Sequence, residues 1–332
     1  MRQLAVIAVV LALAACTGGS TGPTTPPNTR PASGTIVEYP VPTANSGPFA
    51  IALGPDGNLW FTESNTGTNK VAKVTPAGVF TEFALSTNNA FPGNIVSGPD
   101  GNLWYVDEAA HLGRVTTAGV VTLFPANDPS GIAVGPDNNL WVCEFNGHVV
   151  DVYSTAGALL HSYASGTNPA NLQLEQITAG PDGNMWFDTF SSDNVVKMIT
   201  GTGATTAFVY SPTIQNVMRG ITKGPDGNVW ASASDSNLIA RITPAGALTT
   251  FTVPSANAQP YGITTGPDGN LYFTEPGVNR TTNKIGRVTP AGAFTEFPIP
   301  TALSGPVFIS AGPDNTIWFT EGSANKIGEL FL

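Results

Sequence analysis

Charge is scarce in this 332-residue chain. Only 11% of its residues are Asp, Glu, Lys or Arg, against roughly 25% in an ordinary globular protein. Acids outnumber bases 23 to 13, for a net charge of −10, and no basic stripe interrupts the acidic balance. That excludes nucleic acid as an expected partner, because phosphate binding needs clustered Lys and Arg. Cysteine is scarcer still, with Cys16 and Cys143 alone, and histidine is limited to His111, His148 and His161. The only long apolar run is Leu4 to Ala15, too short to cross a bilayer as a helix. After residue 33 no segment carries a capped 3.6-residue period, which excludes a helical fold.

What is present at the start reads as an export signal. Met1-Arg2 precedes the apolar run, and Leu13-Ala14-Ala15-Cys16 resembles a bacterial lipobox. Residues 1–16 are expected to be a lipoprotein signal, with Cys16 as the lipid attachment point. An ordinary signal peptide that ends by chance on Cys is the alternative. Residues 17–33 are Thr, Gly, Ser, Pro, Asn and Ala apart from Arg30. Such a stretch buries too little surface to fold and is expected to be a flexible tether. The resulting expectation is a domain held outside a membrane of the bacterial cell envelope. With Cys16 committed to lipid, no disulfide is expected within the mature chain. Cys143, inside Trp141-Val142-Cys143-Glu144, reads as a buried inert thiol.

Internal repetition dominates residues 34–332. Gly-Pro-Asp-Gly-Asn-Leu-Trp or a close variant begins at Gly54, Gly98, Gly135, Gly180, Gly224, Gly266 and Gly312, a mean spacing of 43 residues. In the sixth copy, Tyr261–Thr265, Leu271–Glu275, Lys284–Thr289 and Ala293–Pro298 read as four strands joined by Asp-Gly and Pro-X-Gly turns. Four strands every 43 residues predict an all-β, seven-bladed propeller. An open solenoid is the competing architecture, but the chain ends argue for closure. The last repeat stops after its third strand, while Thr35–Thr43 matches the fourth strand at Ala293–Thr301, with Glu38, Pro40, Pro42 and Thr43 aligned to Glu296, Pro298, Pro300 and Thr301. The first strand is therefore expected to complete the last blade and remove an exposed edge. The seven turn aspartates, Asp56 to Asp314, are expected to cap their own turns rather than gather round a metal.

The composite Gly-Ile-Thr-x-Gly-Pro-Asp-Gly-Asn-Leu-Trp-Phe-Thr-Glu…Asn-Lys-Ile-Gly-Arg-Val-Thr…Thr-Glu-Phe, clearest in 262–297 and again in 317–328, resembles the repeat of the virginiamycin B lyase (streptogramin lyase) family. The resemblance spans about 35–332. It implies a carbon–oxygen lyase that opens the ester-linked ring of streptogramin B antibiotics by elimination, with magnesium. It also implies catalytic histidines at the X of Pro-X-Gly-Ile in blades six and seven. Those positions fall here on Tyr261 and Val307, the acid two residues before the second falls on Gly305, and a further acid falls at Glu321 or Gly322. His111, His148 and His161 lie elsewhere, in third or outer strands, so the family's site is expected to be disabled.

Two sets of loop-face positions remain as candidates. Those equivalent to Tyr261 are Phe49, Gly93, Ser130, Glu175, Arg219 and Val307. Of these Glu175, Arg219 and Tyr261 come from consecutive blades and are expected to converge on the channel, as catalytic groups if the protein is an enzyme. A second set, three residues after each repeat Trp or Tyr, contains Glu63, Asp107, Glu144, Glu275 and Glu321. They read either as an acidic mouth for a cation or cationic ligand, or as partners for loop amides and for Lys70, Lys284 and Lys326. The main expectation is a monomeric propeller that binds a small molecule or protein at its loop face. The alternative is a divergent lyase, with Glu175 or a phenol of Tyr261 depressed by Arg219 as base and magnesium as the implied metal. A purely structural envelope role is the third reading. No metal ligand set stands out in the sequence.

Overall fold

A computed structural model describes residues 30–86, 91–107, 110–166, 173–189, 194–209 and 218–332. The expected signal segment with Cys16, and the expected tether up to residue 29, lie outside the described residues. Residues Ala32–Leu332 form one compact unit, built among the described residues of seven four-stranded antiparallel sheets. In six of them the strands run outward in chain order, as in blade 4 with Leu174–Ala179, Met185–Thr189, Asn194–Met198 and Thr205–Val209. The seven inner strands pack side by side around a channel. Besides strands, the described residues hold one short 3-10 turn, Val278–Arg280.

The closure expected from the chain ends is present. Blade 7 contributes Pro306–Ala311, Thr316–Glu321 and Lys326–Phe331, and Ile36–Pro40 pairs with the last of these, Ile36 opposite Leu330 and Pro40 opposite Lys326. Asn325 fixes the crossover into blade 1. Its Nδ2 donates to the carbonyls of Val41 and Thr43, and its Oδ1 accepts from the Ser46 amide.

Each blade lodges one aromatic ring against the next. Trp60 packs on Ile95, Leu103 and Tyr105, and Trp318 packs on Ile51, Leu59 and Phe61 of the first blade, which joins the ends of the ring. The outer strand stacks a second ring on this one: Phe83 on Trp60 at 5.5 Å and Phe251 on Trp230 at 5.4 Å. In blade 7 that ring is Tyr39, 5.5 Å from Trp318, supplied by the N-terminal strand. These indoles are fully buried, so each N–H needs an acceptor. The turn aspartate provides it: Asp56, Asp100, Asp137, Asp182 and Asp226 accept from the indole four residues on at 2.9–3.1 Å. Each also accepts from the amide two residues on, as from Asn58 to Asp56, which is the turn-capping role expected from sequence. Burial alone would raise the Asp182 carboxyl, but bonds from Asn184, Trp186 and Lys197 bring it down to about 2. The first glycine of the turn is required by the same contact, since a Cβ on Gly54 would lie 2.4 Å from the Trp60 ring.

A hydroxyl closes each joint near the channel in four blades. Thr62 Oγ1 accepts from the amide of Ala50 in its own inner strand and donates to the carbonyl of Gly93 in the next blade, at 3.1 and 3.0 Å. Thr274 and Thr320 repeat both bonds, to Val307 and Phe49, and Ser232 donates to the Tyr261 carbonyl. The equivalent residues in blades 2, 3 and 4 are Val106, Cys143 and Asp188. Cys143 is buried and unbridged, and burial raises its thiol well above the ordinary value.

Replacing Asp226 by Ala leaves the buried Trp230 N–H without an acceptor and is expected to cost about 1–3 kcal/mol in urea unfolding. Asp314→Asn is the control, because Trp318 donates instead to Thr316 Oγ1, and it is expected to change stability by less than about 0.5 kcal/mol. Equal losses for both would contradict this account of the turn.

Candidate functional site

The inner strands start at the loop face with a register shift, between Pro48 and Ile51, Pro92 and Ile95, Pro129 and Ile132, Leu174 and Ile177, Met218 and Gly220, and Pro306 and Ile309. Bulges re-aim side chains, and the residues within or beside these shifts line the mouth of the channel. Close packing limits the size of the next residue in three blades: a Cβ on Gly131, Gly220 or Gly262 would lie 2.4–2.7 Å from a carbonyl of the neighbouring blade.

Glu175, Arg219 and Tyr261 do converge. Arg219 Nη1 lies 3.3 Å from Glu175 Oε1, and its guanidinium lies over the Tyr261 ring at 5.3 Å. Tyr261 meets Phe308 edge-on at 5.5 Å, and Phe308 meets Phe49 at 5.0 Å. A continuous belt thus runs from blade 4 through blades 5, 6 and 7 to blade 1. Its acidic end is doubled by Asp188, fully buried beneath it. Asp188 Oδ1 accepts from the Gln176 amide at 2.7 Å, while Asp188 Oδ2 and Glu175 Oε2 are buried with no hydrogen-bond partner among the described residues.

Electrostatics follow from burial. Burial raises Glu175 while Arg219 pulls it back, and the net direction is up. Asp188 is driven well above the ordinary range by burial and by the charge of Glu175, against the Gln176 bond and Arg219. Tyr261 goes up to about 12, from burial and the nearby Glu175 charge, despite Arg219. A phenol depressed by Arg219 is the condition for Tyr261 to serve as base; the shift runs the other way, because desolvation outweighs the guanidinium.

Two chambers of about 450 Å³ each flank the belt. One is lined by Arg219, Ser234, Asp235, Tyr261, Arg280 and Gly305 among others. The other lies over blades 1 to 4, between Phe49 and Glu175. It opens where the belt positions are Gly93 and Ser130, the smallest of the seven. Ser130 Oγ is turned into the joint and donates to the Leu174 carbonyl at 2.7 Å.

The second candidate set behaves differently. Glu63, Asp107, Glu144, Glu275 and Glu321 are all buried, and none lines either mouth chamber. They form no acidic mouth. At the last position of the second strand, their side chains turn into the blade instead. Nor do Lys70, Lys284 and Lys326 neutralise them, although each lies opposite in register. Those lysines bond Glu82, Glu296 and Glu38 of the outer strands at 2.7, 2.6 and 3.2 Å. Both carboxylate oxygens of Glu63, Glu275 and Glu321 are buried with no well-formed hydrogen bond among the described residues, although Ser46 and Ser304 lie close enough to Glu63 and Glu321 to favour their charged forms. Asp107 lies 3.2 Å from His111 Nδ1, and Glu144 accepts from Asn127 Nδ2 at 3.0 Å. Glu144 lines a separate surface hollow beside Asp151 and Tyr153.

The positions where the resemblance implies acids do not supply magnesium ligands here: Gly305 and Gly322 offer no side chain, Glu321 is buried and lines neither chamber, and no group of three or more His, Cys, Asp or Glu among the described residues can hold a metal. The three histidines are also outside the mouth: His161 is exposed and stacked on Tyr163 at 5.4 Å, and His148 precedes a third strand.

The virginiamycin B lyase family model matches residues 29–171 and 125–331. The chain belongs to the virginiamycin B lyase family. A solved virginiamycin B lyase from Staphylococcus aureus is 31% identical, covering 90% of this chain and 99% of that one at a TM-score of 0.81. A catalytically inactive variant of the same enzyme, solved with quinupristin, aligns equally well. A streptogramin B lyase structure is 28% identical, covering 89% and 96% at 0.81. No curated protein sequence gives a significant match. Within this family fold, Asp188, Phe308, Asp235 and Arg280 are mouth-side residues that sequence reasoning missed. Asp188 left a signal, since it breaks the Thr or Ser of four other repeats; Arg280 sits in an insertion that no repeat aligns.

The buried glutamates give a pH dependence. Glu275 and Glu321 are raised to about 8 by burial and by the charges of Glu296 and Glu38, which the lysines only partly offset. In the unfolded chain they ionise near 4.5. Between those values the fold binds more protons than the unfolded chain, so stability falls as pH rises from about 4.5 to about 8 and then levels. Thermal melts across that window are expected to show the decline, and Glu275→Gln with Glu321→Gln to make it shallower, with Glu63 and Glu144, raised to about 7, sustaining the rest. A melting temperature rising through the window would contradict the assignment.

Proposed function

We propose that this protein is a lipid-anchored, extracytoplasmic propeller that binds a ligand at its mouth through Glu175, Arg219 and Tyr261, without the elimination chemistry of its family. The observation that carries this reading is the content of the positions where the resemblance implies catalytic histidines. Val307 is apolar, and the Tyr261 phenol, pushed up to about 12, stays protonated at neutral pH. Elimination needs a base for the α-proton and a cation or acid for the leaving carboxylate. The first of those positions holds no such base, and no group of three or more His, Cys, Asp or Glu among the described residues stands ready for magnesium. The two chambers and the charged belt nevertheless supply concave space with few, convergent polar groups, the usual form of a ligand site. A second reading, a divergent carbon–oxygen lyase, draws on Glu175, whose raised carboxyl beside Arg219 would act as base.

Incubation of the full-length protein with quinupristin and magnesium, followed by chromatography and mass spectrometry, separates the two. The expected outcome is intact lactone. Ring opening without added mass, abolished by Glu175→Gln, would overturn the binding-module reading in favour of the lyase. The anchor is tested in the same protein: Cys16→Ser is expected to move it from the membrane fraction to the soluble fraction, and unchanged membrane association would contradict lipidation at Cys16.

A further inference from the structure

The chamber over blades 1 to 4 has a composition of its own. Among its described lining residues are two acids, Glu175 and Asp128, and no base. Its lining residues include three phenylalanines, Phe49, Phe91 and Phe145. Asp128 lies at the rim and is committed, its Oδ2 accepting from the Asn146 amide and side chain at 2.9 and 2.8 Å. Glu175 is not: Oε1 faces Arg219, while Oε2 is buried with no hydrogen-bond partner among the described residues. Arg219 lines the other chamber, so the guanidinium approaches Glu175 from the far side.

The charges in this cluster do not balance. Glu175 and Asp188 are two buried carboxyls and Arg219 is one guanidinium, so the cluster lacks one positive charge when both acids are ionised. The remaining titratable neighbours, Tyr261 and Cys143, carry no positive charge to supply. A buried charge that lacks a partner is costly; either a proton or a cation has to fill the deficit.

We propose that this chamber binds an organic ammonium group, with Glu175 as its counter-charge and Phe49, Phe91 and Phe145 as its apolar walls. The inference rests on the reading of the mouth as a ligand site and names the ligand's chemistry. Aromatic faces attract a bulky, weakly hydrated cation through their quadrupoles, most strongly when water is excluded. They offer nothing to a hard metal ion, which requires a shell of oxygens. The aromatic walls and the orphaned carboxylate oxygen are independent features, and both select the same class. A cation seated there takes the place of the proton that otherwise fills the deficit.

Isothermal titration of the full-length protein with phenethylammonium, 2-phenylethanol and phenylacetate tests this directly. Phenethylammonium is expected to bind at least about ten-fold more tightly than the neutral alcohol, with phenylacetate weakest. Glu175→Gln is expected to erase that preference. Asp188→Thr is a second variant that installs the threonine found in blades 1, 6 and 7. It leaves Glu175 neutralised by Arg219 alone and is expected to reduce the preference while retaining the melting temperature. Equal binding of ammonium and alcohol, a preference that survives Glu175→Gln, or no binding of any probe at millimolar concentration would overturn the proposal. Such a failure leaves the binding-module reading standing, since that reading falls only on turnover of the lactone.

Discussion

In blades 1, 6 and 7 a threonine hydroxyl in the second strand accepts from the inner strand of its own blade and donates to the inner strand of the next, and this sets how those blades meet around the channel. Hydrophobic burial of the Trp and Tyr rings holds neighbouring blades together, but burial has no direction. The Thr62, Thr274 and Thr320 bonds do. They fix the carbonyl of the mouth residue in the following blade and hence the base from which its side chain projects. A donor and an acceptor in one small group suit a joint where one amide and one carbonyl would otherwise be buried unmet.

Blades 2, 3 and 4 depart from that pattern with Val106, Cys143 and Asp188, and the charged one of the three gives the mouth its character. A carboxylate can accept from the Gln176 amide but has no proton to give to the carbonyl of the next blade, which belongs to Arg219. Deep burial therefore favours a protonated Asp188, and the charge of Glu175 beside it reinforces the preference. The Arg219 guanidinium, stacked on Tyr261 and facing Glu175, balances one acid and not two. Departures from a locally consistent pattern concentrate at functional sites. Here a carboxylate at the position of the joint hydroxyl leaves two carboxyls beside one guanidinium.

Much of the fold is readable from residues because repetition samples the same physics seven times. The Gly-Pro-Asp turns, the strand lengths and the match of Thr35–Thr43 to Ala293–Thr301 identify the blades and their closure. The structure adds Tyr39 as the closing ring on Trp318. Convergence of Glu175, Arg219 and Tyr261 is also readable, since equivalent repeat positions must meet on one ring. The acids at Glu63, Glu275 and Glu321 are not, because a two-residue period shows that a side chain is on one side of a strand, not whether that side meets solvent or a neighbouring blade. The direction of the Tyr261 shift is equally hidden, since it depends on how deeply Phe308 and the neighbouring blade cover the phenol.

The central claim is that the mouth of blades 4 and 5 holds two carboxyls against one guanidinium, and that a proton fills the difference when no cation is bound. Carbon-13 NMR titration of the Glu175 and Asp188 carboxyls in the ligand-free protein measures this most directly. The account predicts that the pair still carries one proton at neutral pH, and that Asp188→Thr lets Glu175 ionise at a lower pH. Two carboxyls that are both fully ionised below pH 5 would contradict it.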